Sequence, residues 1–112
     1  MHKRTKACEF PRPVREAIKE RDKGCIFCII GYKMPLNHYP ATDIMHIVPR
    51  SHGGLGIEQN GVLGCRYHHD MMDNGNGGDR DGMMAYIEGY MKRLYPGWNK
   101  GLLIYRKDNL PL

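Results

Sequence analysis

The chain has 112 residues, with 17 Lys plus Arg against 12 Asp plus Glu for a formal charge of +5. That length suits a single domain, 1-112, with a modest core that a bound metal would help to hold, and the charge favours polyanionic partners without demanding them. No apolar run approaches the roughly 18 residues a membrane span needs, and the start MHKRTKACEF lacks the long apolar stretch of a signal peptide. We therefore expect a soluble protein of a reducing cytoplasm with no membrane partner, whose Cys8, Cys25, Cys28 and Cys65 serve as thiols rather than as two disulfides.

Residues 2–7, HKRTKA, read as a basic, solvated terminus with a supporting role at most. Pro11 and Pro13 then precede VREAIKERD, where Val14, Ala17 and Ile18 form an apolar stripe at helical spacing. This predicts a short amphipathic helix that Gly24 ends. Its basic side, Arg12, Arg15 and Lys19, suits a phosphate backbone, although a solvated face is the commoner meaning of such a pattern.

Cys25-Ile-Phe-Cys28 follows at once. A CxxC turn can offer two thiolates to one tetrahedral zinc or can work as a redox pair. No βαβ pattern surrounds it, and a matching pair, Cys65-Arg-Tyr-His68, lies downstream, so the spacing predicts a structural zinc held by Cys25, Cys28, Cys65 and His68. Cys8 is left over and reads as a small buried or simply reduced thiol. Residues 29–42 contain two prolines and a glycine and read as a loop with at most a short strand, and His38 within them reads as a surface imidazole.

From Asp43 the pattern becomes strand, glycine-rich loop, strand, helix. Ile44, His46 and Val48 alternate with Met45 and Ile47, which puts His46 on rigid backbone. The loop PRSHGGLGIEQNG carries Gly53, Gly54, Gly56 and Gly61, which suits a close approach to phosphate with Arg50 and His52 nearby; its plain alternative is a hairpin connection with Asn60-Gly61 as a type I′ turn. Val62 and Leu63 mark the second strand, and a helix begins near Cys65. On that helix His69 and Asp73 stand four residues apart, so an imidazole nitrogen and a carboxylate can converge on one cation. Beyond NGNGGDRDG, with Asp79 or Asp81 as the helix cap, Met83, Ile87, Tyr90 or Met91, and Leu94 define a last amphipathic helix that Pro96-Gly97 breaks. The run Leu102 to Tyr105 is a strand or a segment laid against the body.

The order His46, Asn60, His69, in the wording MHIVPRSHGGLG…N…C..HH, resembles the HNH nucleases, and in particular their phage and prophage branch. The likeness covers Cys25 to Gly75 in detail, the core of about 25-75. It implies an α+β fold, a small zinc-stabilised ββα-metal (His-Me finger) core flanked by N- and C-terminal helices. It also implies roles for three residues: His46 as the general base that activates water, Asn60 as the brace of the loop, and His69 as a ligand of a catalytic divalent ion. That ion would be Mg²⁺ or Mn²⁺, with Ni²⁺ or Zn²⁺ as further candidates. DNA is the implied substrate, with Arg50, His52 and Arg66 placed to contact it, and a 5′-phosphate the implied product. Only the resemblance points to a phage or prophage gene expressed in a bacterial host and to phage packaging proteins as partners.

One position departs from the family pattern: where a metal ligand usually precedes the base, this chain has Met45, whose thioether suits a hard cation poorly. Asp43, two residues earlier on the same strand face, is the expected substitute, direct or through water, beside His69 and Asp73. The competing expectation is a catalytically inactive, zinc-stabilised module that binds DNA or a protein, with His46 a satisfied core histidine. A redox CxxC enzyme ranks third.

Overall fold

The computed structural model describes residues 3–34, 41–73, 75 and 77–106. His38 lies outside the described residues. The protein is small and mixes α and β elements around a two-stranded antiparallel sheet. Strand β1 (Thr42–His46) and strand β2 (Gly61–Cys65) pair with Asp43 opposite Gly64, Met45 opposite Val62 and His46 opposite Gly61. Strand alternation sends Ile44 and His46 to one face and Asp43 and Met45 to the other.

Among the described residues three helices precede the sheet: α1 (Lys3–Ala7), α2 (Arg12–Asp22) and α3 (Ile26–Ile29). Helix α1 occupies part of the segment expected to be a solvated terminus. Helix α2 starts on the prolines as expected and buries Ile18, but Gly24 does not end it. Lys23 does, in the left-handed region at φ 68°, with its N–H donating to the Lys19 carbonyl at 2.9 Å. After β2, helix α4 (Arg66–Met72) begins with Cys65 as its cap, and α5 (Arg80–Leu94) follows with Asp79 just before it. The Asp79 carboxylate is taken by the Tyr32 hydroxyl and by Lys33 Nζ at 3.0 Å. On α5 the inward positions are Met83, Ile87 and Met91, whereas Leu94 is exposed.

The hydrophobic core gathers Phe27, Ile47, Val62, Met71, Met83, Ile87, Met91, Trp98 and Leu103, uniting the cysteine turn, the sheet, α4, α5 and the C-terminal segment. Each such side chain contributes roughly 1.5–3 kcal/mol on leaving water. Met45 belongs to this core, 3% exposed, with its sulfur over Gly64, where a Cβ would come within 2.6 Å.

Where α2 meets β2, the buried Asp22 carboxylate accepts the Leu63 N–H at 2.9 Å, the Tyr90 hydroxyl at 2.5 Å and Arg21 Nε at 2.7 Å. Arg21 in turn donates to the carbonyls of Glu58 and Gly61 at 2.8 and 2.6 Å. A buried charge is tolerable only when its oxygens are satisfied, as these are.

The two strands are joined by a long loop, not a tight hairpin. Asn60 ends a 3₁₀ turn (Glu58–Asn60), and Gly61 has φ −133°, so Asn60-Gly61 is not the type I′ turn weighed as the alternative. The loop glycines serve close packing within the protein. A Cβ at Gly54 would sit 1.7 Å from the Val48 carbonyl oxygen, and one at Gly56 would sit 1.8 Å from that of Glu9. Both chain ends hold this loop: Gly56 N–H donates to Ala7 at 2.9 Å, Leu55 N–H to Leu103 at 2.7 Å and Tyr105 N–H to Gly53 at 2.7 Å. The run Leu102 to Tyr105 thus lies against the body, with Ile104 forming a lone antiparallel bridge to Gly54. Among the described residues no helix is long and apolar enough to cross a membrane.

Candidate active site and metal centre

Cys25 caps α3 and Cys65 caps α4, each sulfur accepting the N–H of the residue three positions on, Cys28 and His68. These two short turns deliver all four side chains to one point. Their ligand atoms lie within 4.8 Å of one another and can hold a metal ion such as zinc. A zinc tetrahedron with Zn–S near 2.3 Å and Zn–N near 2.0 Å has edges of about 3.5–3.8 Å. Here Cys28 Sγ is 3.6 Å from Cys65 Sγ, and His68 Nδ1 stands 3.5, 3.5 and 3.3 Å from the sulfurs of Cys25, Cys28 and Cys65.

His68 is wholly buried, and its Nε2 lies 2.6 Å from the Tyr32 carbonyl. A carbonyl can only accept, so Nε2 carries the proton and Nδ1 presents its lone pair to the cluster. Burial, then the neighbouring Cys25 and Cys65, push the Cys28 thiol far up, so adjacent thiolates need a cation among them. None of the four cysteines forms a disulfide, and Cys8 is buried away from this cluster as a free thiol.

A separate cleft of about 310 Å³ opens beside the end of β1, lined by His46, Arg50, His69, Asp73 and Arg80 together with Ile44, Met45, Pro49, Ser51 and Met72. His46 is fixed from behind. Its Nε2 lies 3.0 Å from the Cys8 carbonyl, and its ring packs at 4.2 Å between centroids on Phe10. By the same donor logic Nε2 carries the proton and Nδ1 keeps its lone pair. Burial and the charge of Arg50 hold the imidazole below its ordinary pKa, against the opposing pull of the Cys8 carbonyl, so the neutral form prevails at neutral pH.

Asn60 is fully buried under the loop that follows β1. Its Nδ2 donates to Val48 and Leu55 carbonyls at 3.1 and 2.8 Å, and its Oδ1 accepts the Val48 N–H at 2.8 Å. Its backbone carbonyl accepts the Ile47 N–H at 2.9 Å.

His69 separates the two carboxylates expected beside it. Asp73 Oδ2 stands 3.9 Å from Nε2, whereas Asp43 Oδ2 stands 3.9 Å from Nδ1. The two ring nitrogens point in diverging directions and only one of them carries a lone pair in the neutral ring, so one ion bonded to His69 meets Asp73 or Asp43 but not both. Asp43 is also paired with Arg66 Nη2 at 2.9 Å and does not line the cleft. The three side chains expected to share one ion thus lie together, with the two carboxylates on opposite edges of the His69 ring. Asp73 is 69% exposed. The His69 Nδ1 atom is the buried side-chain polar atom without a hydrogen-bond partner among the described residues, and Asp43 is the carboxylate facing it.

Of the residues expected to meet nucleic acid, Arg50 lines the cleft, His52 is exposed outside it, and Arg66 is engaged by Asp43 and, at 3.6 Å, Asp70. Three contributors escaped the sequence reading. The Cys8 carbonyl is main chain and leaves no mark in residue type; Phe10 and Arg80 lie outside the motif, and Arg80 is anchored by donating to the Met72 carbonyl at 3.0 Å. Compared with known proteins, the chain matches no family model, no curated protein and no solved structure.

Proposed function

We propose that the protein is a metal-dependent endonuclease of the HNH type, with a ββα-metal core, that hydrolyses DNA phosphodiester bonds. The observation that carries this is the presentation of His46: Nε2 bound to the Cys8 carbonyl and Nδ1 unprotonated, in a cleft whose other polar side chains include a histidine–carboxylate pair and two arginines. Phosphodiester hydrolysis needs a base for the attacking water and positive charge for the oxyanion that leaves. His46 Nδ1 takes the proton from water. Arg50 and Arg80 face the non-bridging oxygens, and Asn60 keeps the loop that carries Arg50 in register with β1.

His69 Nε2 and Asp73 would hold the divalent ion, which when bound supplies Lewis-acid stabilisation of the leaving oxygen. The Cys₃His cluster would hold zinc as scaffold, fastening the turn before β1 to the helix after β2. Such a protein acts on DNA in the cytoplasm of its host, and the phage or prophage setting rests on the resemblance alone.

The inactive-module alternative draws on Met45, which lies in the core where relatives of the HNH type place a ligand. Incubation with supercoiled plasmid across Mg²⁺, Mn²⁺, Ni²⁺ and Zn²⁺ decides between them. The nuclease nicks or linearises plasmid, and both His46→Ala and His69→Ala abolish cleavage while retaining zinc. A wild-type protein that binds but never cuts is the inactive module, and wild-type cutting by His46→Ala removes His46 as the base.

A further inference from the structure

We infer that Asp43 is a positioning residue of the proposed ion site rather than one of its ligands. From the Nδ1 edge of the His69 ring it holds the proton on that nitrogen and so leaves the Nε2 lone pair for the cation and Asp73; this rests on the proposed nuclease function. The two edges of the ring differ in their surroundings. His69 and Asp73 both line the cleft that holds His46, whereas Asp43 and Arg66 do not. Nε2 faces Asp73 at 3.9 Å, so it is the nitrogen on the cleft side. Nδ1 is buried without a hydrogen-bond partner and faces the Asp43 carboxylate, also at 3.9 Å.

Strand register puts Asp43 there. On β1 it pairs with Gly64, the residue before the Cys65 cap of α4, so it stands beside the start of that helix. Arg66 and His69 are three residues apart on α4 and share a face. Arg66 Nη2 donates to Asp43 Oδ2 at 2.9 Å, the same oxygen that faces Nδ1, and Asp70 pairs with the other arm of Arg66 at 3.6 Å. At 3.9 Å the contact with the imidazole is too long for a hydrogen bond, and its effect is one of sign: a carboxylate attracts an N–H aimed at it and repels a lone pair. The neutral ring has one proton to place. On Nε2, that proton would turn the buried Nδ1 lone pair onto Asp43 and close the cleft-side nitrogen to a cation. On Nδ1, it removes both faults. A carboxylate behind a ligating histidine fixes its tautomer and raises its basicity in metal sites generally. Arg66, which the resemblance assigned to DNA, acts here by holding Asp43 in place.

The test reads first the ring and then the ion, in the zinc-loaded chain labelled with ¹⁵N-histidine. Long-range ¹H–¹⁵N correlation, in buffer well above the ordinary imidazole pKa of about 6.5, tells a protonated ring nitrogen from an unprotonated one, and His69→Ala identifies the signals. Titration calorimetry then gives the affinity of the Mn²⁺ site that His69→Ala abolishes. The wild-type ring is expected as the Nδ1–H tautomer. Asp43→Ala is expected to move it toward Nε2–H and to weaken Mn²⁺ binding by about 10-fold or more with zinc retained, and Asp43→Glu to recover part of both. Asp70→Asn, which removes a neighbouring charge paired with Arg66 and not with the ring, is expected to change neither. Nε2–H in the wild type, an Asp43→Ala that keeps either the tautomer or the affinity, or an equal loss in Asp70→Asn overturns the inference and leaves the nuclease proposal standing. Absence of His69-dependent Mn²⁺ binding by the wild type overturns both.

Discussion

Replacing Asn60 with alanine tests whether the loop between the strands is held by side-chain bonds or by packing alone. The amide makes three hydrogen bonds, to Val48 N–H, Val48 C=O and Leu55 C=O, at 2.8 to 3.1 Å and with no exposed surface. Each net bond contributes about 1 kcal/mol, and stranding the Val48 N–H away from water adds about 1–3 kcal/mol. The expected loss is thus about 4–6 kcal/mol, a large share of the roughly 5–15 kcal/mol that domains have in hand. Asn60→Asp keeps one acceptor for Val48 N–H but turns the other oxygen toward two carbonyls, and should lose a comparable amount. Urea unfolding in zinc-containing buffer, followed by fluorescence, measures this. The single tryptophan is a local reporter, since Trp98 Nε1 donates to the carbonyl of Gln59, the residue before Asn60, at 2.8 Å. A loss under 1 kcal/mol for Asn60→Ala would refute the bracing argument.

Three further outcomes are expected. The lowered pKa of His46 means that the base stays neutral to a more acid pH, so the cleavage rate should fall to half below pH 6.5 and stay level above it, and Arg50→Gln should move that limb upward by removing a charge that disfavours the imidazolium; an acid limb centred above 6.5 contradicts this. Cys28→Ser should lose zinc by elemental analysis and give an unfolded chain, because metal binding and folding are one event at such a site. Met45→Asp should destabilise rather than strengthen metal binding, since its side chain is 3% exposed and would bury a carboxylate over Gly64; a drop in the metal concentration needed for half-maximal cleavage, with an unchanged melting temperature, speaks against it.

What could be read ahead of the structure was local. Cys25 and Cys28, like Cys65 and His68, lie within one turn of each other, and such short spacings constrain geometry whatever surrounds them. The alternation around Ile44 and the helical spacing of Met83, Ile87 and Met91 likewise report nearest neighbours. What escaped depends on distant chain. Nothing in the segment after Asp43 announces that the His46 ring leans on the carbonyl of Cys8 or that Gly56 is small because the main chain at Glu9 passes over it. The side of His69 on which each carboxylate falls depends on strand twist and on the pull of Arg66, and residue spacing encodes neither.

The grip of both chain ends on the inter-strand loop bears on how small a working protein can be made. A fragment cut to 25–75 would keep all four cluster ligands, both strands and every residue of the histidine–asparagine–histidine order. It would lose the Cys8 carbonyl that selects the His46 tautomer, the Ala7 and Leu103 carbonyls that receive Gly56 and Leu55, and the Arg21 fork that spans Asn60 from Glu58 to Gly61. The motif is therefore not a transplantable cassette. A designer grafting it onto another scaffold must supply a main-chain acceptor behind the first histidine, and can screen candidate scaffolds for that one carbonyl before considering any side chain.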